Sequence, residues 1–147
     1  MTPENRILVL LAIFAAATLV GILWKVSTGR ARHTDGAQSV DLAELHAVKN
    51  GKPVTSFGSR VTFLQFSGEF CSQCPPTARV LAELEAKTPG ALHIEVDITN
   101  RLDLAKKYNV LQTPTTLVLD KRGVIMSRIA GSPKTTTLES ELGTFAI

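Results

Sequence analysis

Residues 7–24, ILVLLAIFAAATLVGILW, carry no charged side chain, and apart from Thr18 and Gly21 every one of them is apolar. As a helix, about 18 residues rise about 27 Å, close to the hydrocarbon thickness of a bilayer. Arg6 and Lys25 bracket the run, and Trp24 stands where an interfacial indole is favoured. A buried core helix would show a polar face, and none is visible. A cleavable signal peptide has a hydrophobic stretch of about 7–15 residues followed by a small-x-small site. Here the only such tract, Ala15-Ala16-Ala17, lies inside the run. The expectation is one uncleaved transmembrane helix over about 7–24, within an anchor segment 1–26. Arg6 and Glu4 precede the span, while Lys25, Arg30 and Arg32 follow it. Counting Lys and Arg alone, the balance leans towards a cytoplasmic main domain, with the extracytoplasmic side as the alternative.

The remainder divides by composition. Ser27 to Gln38 (STGRARHTDGAQ) is small, polar and poor in apolar residues, which predicts a linker over 27–38 and a folded domain over 39–147. Leu42, Leu45 and Val48 recur at helical spacing within Asp41 to Lys49, with Gly51 as the terminator. Val61 to Phe66 (VTFLQF) is β-branched and aromatic and has the length of a buried strand. Beyond Gly68 the period changes. Cys74, Ala78, Leu81 and Leu84 fall on one face of a helix that Thr88-Pro89-Gly90 stops. Leu92 to Ile98 alternates and predicts a strand, and Leu102 to Tyr108 predicts a short helix. Thr115 to Leu119 and Val124 to Ile129 predict a hairpin about Asp120-Lys121-Arg122-Gly123, and Thr137 to Leu142 predicts a last helix. The order β-α-β-α-β-β-α implies an α/β fold: a sheet with parallel strands covered by helices, and the final hairpin as its antiparallel edge.

The chain has two cysteines, too few for a disulfide framework or a four-cysteine zinc site. They stand as Cys71-Ser72-Gln73-Cys74, directly after a predicted strand and at the opening of a predicted helix. A thiol there faces backbone N–H groups and the positive end of the helix dipole, both of which favour the thiolate. Cys71 is therefore the candidate nucleophile, and Cys74, one turn further on, the candidate resolving thiol. Three other readings compete with a redox pair. Two buried structural thiols would not need this spacing. A zinc half-site needs two more ligands, and His33, His46 and His93 lie in unrelated segments. A structural disulfide closing so short a loop would constrain the unfolded chain little.

With these features the sequence resembles the thioredoxin family over most of Val61 to Leu142. The signs are the strand before Phe70-Cys71-Ser72-Gln73-Cys74, the Asp97 strand, Leu104 to Val110, Thr113-Pro114-Thr115, and Gly131 after the last strand. The resemblance implies a thioredoxin-like fold, a central mixed sheet flanked by helices, here preceded by the transmembrane helix. It also implies a cis Pro114 against the redox pair, with Thr113 pairing its backbone with an extended substrate segment and Phe70 beside them. A cis X–Pro bond turns the chain tightly and brings no N–H into the site. This sequence departs from the family pattern in four ways. Phe70 replaces the usual Trp, keeping an apolar shield without the indole N–H. Gln65 stands at the position of the family's buried Asp, and Glu95 at that of its Lys partner. Pro75 and Pro76 follow Cys74 at once, whereas the family's proline comes later, where this chain has Arg79. Gln65 is neutral at every relevant pH and cannot take a proton from Cys74. The spacing from Cys74 to Asp97 leaves no room for the insert of membrane-tethered cytochrome-maturation thioredoxins, and CxxC differs from the CxxxC of copper chaperones of this fold. The nearest likeness is a compact, single-pass, membrane-anchored thioredoxin-like protein of the bacterial cell membrane.

The net charge of +3, without a long basic block and with one Tyr and one Trp, does not suggest nucleic-acid binding. His46 and His93 are expected to be solvated or satisfied rather than ligands, and Tyr108 to pack. Glu69, near Cys71, would oppose thiolate formation by like-charge repulsion. The expected function is thiol–disulfide exchange with protein disulfides or dithiols, electrons passing to or from a relay partner and the anchor contacting lipid. No metal or organic cofactor is implied. The alternatives are a tethered binding module without turnover and a carrier holding metal on both thiolates.

Overall fold

The structure is a computed structural model, and it describes residues 2–145. In chain order the elements are α1 (Pro3–Ser27), β1 (Ala31–His33), α2 (Leu42–Leu45), β2 (Val48–Lys49), β3 (Lys52–Pro53) and β4 (Val61–Ser67). They continue with α3 (Cys74–Lys87), β5 (Ala91–Asp97), α4 (Leu102–Lys107), β6 (Thr115–Asp120), β7 (Ile125–Ala130) and α5 (Thr135–Phe145). From β4 onward this is the predicted order.

α1 is long and apolar enough to cross a membrane, and none of its apolar window is buried against the rest of the chain. Its end is joined tightly to the folded body. Thr28 donates its N–H back to Trp24 O at 3.1 Å, and Gly29, at φ +77°, donates to Ala130 O at 2.8 Å. The chain then runs straight into β1, which pairs antiparallel with β7 through Ala31, Arg32 and His33. The stretch expected to be a linker thus supplies a strand.

The main sheet has the order β1-β7-β6-β4-β5. β4 and β5 are parallel, whereas β4–β6, β6–β7 and β7–β1 are antiparallel. The β6–β7 hairpin was expected to form the edge of the sheet. Instead β6 lies inside, next to β4, and β1 covers β7. Both faces of the sheet are covered, which is why β4 reads as a nearly continuous apolar run and is buried along its whole length. One face packs Val61, Phe63, Val118 and Ile129 against Leu81 of α3 and Leu138 of α5. The other packs Leu64, Phe66, Ile94 and Leu117 against Leu45, Leu104 and Tyr108. Each such side chain stabilises the fold by about 1.5–3 kcal/mol on burial.

The helix expected over Asp41 to Lys49 stops at Leu45. Asp41 caps it, accepting from Ala43 N–H at 2.9 Å, and His46 ends it in the left-handed region at φ 49°. Asn50 and Gly51, at φ 52° and 75°, then turn the two-stranded β2–β3 hairpin. Asn-Gly suits a turn that needs positive φ at both central residues. Val48 therefore lies on a strand and is exposed, not on a buried helix face.

Candidate active site

The cysteine pair sits at the junction of β4 and α3. Ser67 O, at the end of β4, accepts Ile98 N–H at 2.9 Å, and the chain leaves the sheet through Gly68. Cys71 N–H donates to Gly68 O, and Cys74 N–H to Cys71 O, both at 3.2 Å. Cys71 and Cys74 are joined in a disulfide, with their Cα atoms 5.4 Å apart. Cys74 is buried and Cys71 only half-buried, so an incoming sulfur meets Cys71 first.

α3 begins at Cys74, leaving Cys71 in the turn before the helix. Pro75 and Pro76 occupy its first turn, where an N–H has no intrahelical carbonyl and its loss is tolerated. The same prolines remove two of the donors that a helix start normally offers an anion. Cys71 therefore has fewer N–H neighbours than its spacing suggests. Thr77 reinforces the start, donating its hydroxyl to Gln73 O at 2.8 Å.

The peptide bond between Thr113 and Pro114 is cis, as the resemblance implies. Pro114 is buried and Thr113 half-buried. A Cβ on Gly68 would lie 3.5 Å from Thr113 Oγ1, so the two loops are in van der Waals contact. Gln73, between the cysteines, lines one groove together with Thr113 and Pro114. Phe70 was expected to shield the pair. It is 93% exposed and shields nothing.

Beneath the pair lies a buried polar chain. Gln65 Nε2 donates to Cys74 O at 3.0 Å, and Gln65 Oε1 is 3.1 Å from His93 Nε2. A carbonyl only accepts, which fixes the amide orientation and requires His93 to carry its hydrogen on Nε2. Lys49 Nζ donates to His93 O at 2.7 Å and to Glu85 Oε1 and Oε2 at 2.5 and 2.6 Å. Burial lowers the His93 pKa to about 4; the Lys49 charge adds to the effect and Glu85 opposes it.

Glu95 is the register neighbour of Gln65, yet it is exposed, and Gln65 reaches His93 instead. Glu69 is exposed, with its N–H donated to Thr99 Oγ1 at 2.8 Å. His93, expected to be solvated or satisfied, is satisfied by Gln65; what reading the sequence missed is its place beneath the cysteine pair. The available signal was its position on the predicted strand, two residues before Glu95 and hence on the same face. Among the described residues no three His, Cys, Asp or Glu side chains cluster as a metal site.

A sequence profile of the family Thioredoxin matches residues 42–144. The chain is 35% identical over 75 residues to a thioredoxin H-type of Oryza sativa subsp. indica, a match covering 51% of this chain and 61% of that relative. It is 32% identical over 75 residues to thioredoxin of Bacillus subtilis, covering 50% of this chain and 72% of the relative. The crystal structure of thioredoxin NaTrxh from Nicotiana alata superposes with a TM-score of 0.54 at 24% identity, over 60% of this chain and 76% of that one. That likeness concerns the fold. With the profile spanning most of its length and the Bacillus relative matched over more than two thirds of its own, the chain belongs to the thioredoxin family.

Proposed function

We propose that this protein is a membrane-anchored thiol–disulfide oxidoreductase acting on protein disulfides or dithiols. The observation that carries the reading is the Cys71–Cys74 disulfide, with one sulfur half-buried, the other buried, and cis Pro114 on the groove beside it. In the reducing direction, the Cys71 thiolate attacks a substrate disulfide, forming a mixed disulfide and expelling the first substrate thiolate. Cys74, as thiolate, then attacks Cys71 Sγ, re-forming the internal disulfide and expelling the second substrate thiolate. Two electrons pass from the pair to the substrate, and a dithiol partner restores the reduced enzyme. Run backwards, the same steps donate a disulfide. Thr113 offers backbone to an extended substrate segment, and Phe70, fully in solvent, offers a contact on its other side.

α1 supports the anchoring, since its stretch 7–24 carries no charge and is exposed along its whole length. Its lipid contact, its single pass through a bacterial membrane and the side occupied by the domain belong to the same proposal. The flanking Lys25, Arg30 and Arg32 favour the cytoplasm.

Insulin reduction with a dithiol reductant tests the chemistry. The wild type should accelerate it, Cys71→Ser should abolish the acceleration, and Cys74→Ser should trap a mixed disulfide. Equal inactivity of all three would overturn the oxidoreductase reading. Copper or zinc retained at one per chain after dialysis would support a carrier instead. A C-terminal reporter active on only one side of the membrane assigns the topology.

A further inference from the structure

The redox face is not bounded by the thioredoxin domain alone. A groove of about 780 Å³ has Gln73, Thr113 and Pro114 on one wall and Trp24 and Lys25 of α1, with Thr28 just after it, on the other. The second wall does not hang on a loose tether. Gly29 N–H donates to Ala130 O, and Gly131 N–H donates to Pro114 O, each at 2.8 Å. A Cβ on Gly131 would come within 2.3 Å of Thr28 Cγ2, so the residue that follows α1 packs directly against the glycine whose N–H holds Pro114 O. The groove also has a sign. Lys25 and Lys134 line it, and no carboxylate does among the described residues. Trp24, 69% exposed, adds an indole face with a single N–H donor.

We propose that Trp24 and Lys25 are substrate-binding residues, and that the groove selects an extended segment bearing acidic side chains beside its reactive cysteine. The segment lays an apolar side chain on the Trp24 indole and brings its carboxylates within reach of Lys25 and Lys134. Complementary charge of this kind chiefly sets partner choice. Because the second wall is the end of α1, the favoured disulfides lie close to where α1 enters the body. The inference rests on the exchange chemistry proposed above and names the substrates that chemistry takes.

The test uses the full chain, reduced, in non-ionic detergent micelles. Its probes are three eight-residue peptides, each holding one cysteine as a mixed disulfide with thionitrobenzoate and differing only in Glu, Gln or Lys flanks. Cys71 displaces thionitrobenzoate, whose release is followed by stopped-flow, and Cys74 then displaces the peptide thiol. The Glu peptide should reach half-saturation at about fivefold lower concentration than the Gln peptide, the scale of one or two partly exposed ion pairs. Lys25→Glu should reverse the preference towards the Lys peptide, with the effect in the half-saturation concentration and not in the limiting rate. Trp24→Ala should weaken all three peptides alike. Lys121→Glu, which makes the same charge change on the distant β6–β7 turn, should leave the preference intact. Equal half-saturation for the three peptides in the wild type, or Lys25→Glu behaving as Lys121→Glu does, overturns the proposal. A wild type that releases no thionitrobenzoate from any peptide overturns the oxidoreductase reading itself, an outcome distinct from release without charge preference.

Discussion

Gln65 Oε1 and His93 Nε2 lie 3.1 Å apart, beneath the start of α3. The other end of the same amide holds Cys74 O. The amide and the imidazole together thus support Cys74, the buried member of the disulfide. Replacing Gln65 by Leu keeps the volume roughly but leaves Cys74 O and the His93 N–H without this partner. The expected cost is roughly 1–3 kcal/mol, since a buried polar group that loses its partner keeps its desolvation penalty. Urea unfolding of the oxidised protein measures it, and an unchanged midpoint for Gln65→Leu would mean that the amide bears no load.

His93 makes stability depend on pH in a defined window. Its pKa is lowered from 6.5 to about 4 in the fold, by burial first and then by the Lys49 charge, against the opposing Glu85. The imidazole therefore stays neutral in the native state while the unfolded chain is already taking up a proton. The contribution of this neutral form is fully present above pH 6.5 and is lost as the pH falls through the folded value. The loss is at most about 3 kcal/mol, from 1.36 kcal/mol per unit. Comparing wild type with His93→Gln between pH 7 and 4 isolates it from the carboxylates, which titrate in both. The variant's stability should fall less over that interval, and parallel curves would show that His93 does not titrate differently on folding.

The central architecture was legible because its signals were redundant. In α3 the apolar period of Cys74, Ala78, Leu81 and Leu84 agrees with the Thr88-Pro89-Gly90 stop, and in β4 the buried run agrees with its flanking breakers. The placement of Cys71 and Cys74 was legible for the same reason, since the strand before them and the helix after them are both marked in the sequence, and the structure joins the two in a disulfide. β1 was not legible. Ala31, Arg32 and His33 form a strand through backbone pairing with β7, and their side chains carry no period that announces it. At β2–β3 a signal existed in Asn50-Gly51, but the coincidental spacing of Leu42, Leu45 and Val48 pointed to a longer helix. The partnership of Gln65 with His93 needs the register of β4 on β5, and the groove wall needs α1 to return to residue 114. Both depend on contacts between distant parts of the chain.

Thr116 is the cross-strand neighbour of Gln65, and its buried hydroxyl has no hydrogen-bond partner among the described residues. A hydroxyl held this way has lost its water and gained nothing in return. Thr116→Val replaces it by a methyl of similar shape on an inner strand, where β-branched residues fit well. The variant should be more stable than wild type by about 1 kcal/mol. The urea midpoint should rise with an unchanged slope, whereas a fall would show that the hydroxyl has a partner after all.

Gly29 sets how α1 meets the domain. At φ +77° it adopts a conformation that costs an L-residue about 1–2 kcal/mol. A Cβ there would also sit 2.4 Å from Ser132 O, a backbone atom that cannot move aside without shifting the β7–α5 loop. Gly29→Ala should therefore weaken the junction by roughly 2 kcal/mol or more, combining strain with the displaced backbone. The damage should remain local, because β1 is an edge strand whose Ala31 packs only at the margin of one cluster, and the buried residues of both apolar faces come from other elements. Hydrogen exchange reads this directly. The Gly29 amide, bonded to Ala130 O, and the Thr34 amide, bonded to Met126 O, should lose protection, while amides of β4 and β6 keep theirs. The groove beside Pro114 would then lose its second wall, and the preference for acidic peptides should fade with the protection. If protection falls while the preference stays whole, selection by charge belongs to Lys134 and the body, and α1 serves only as a tether.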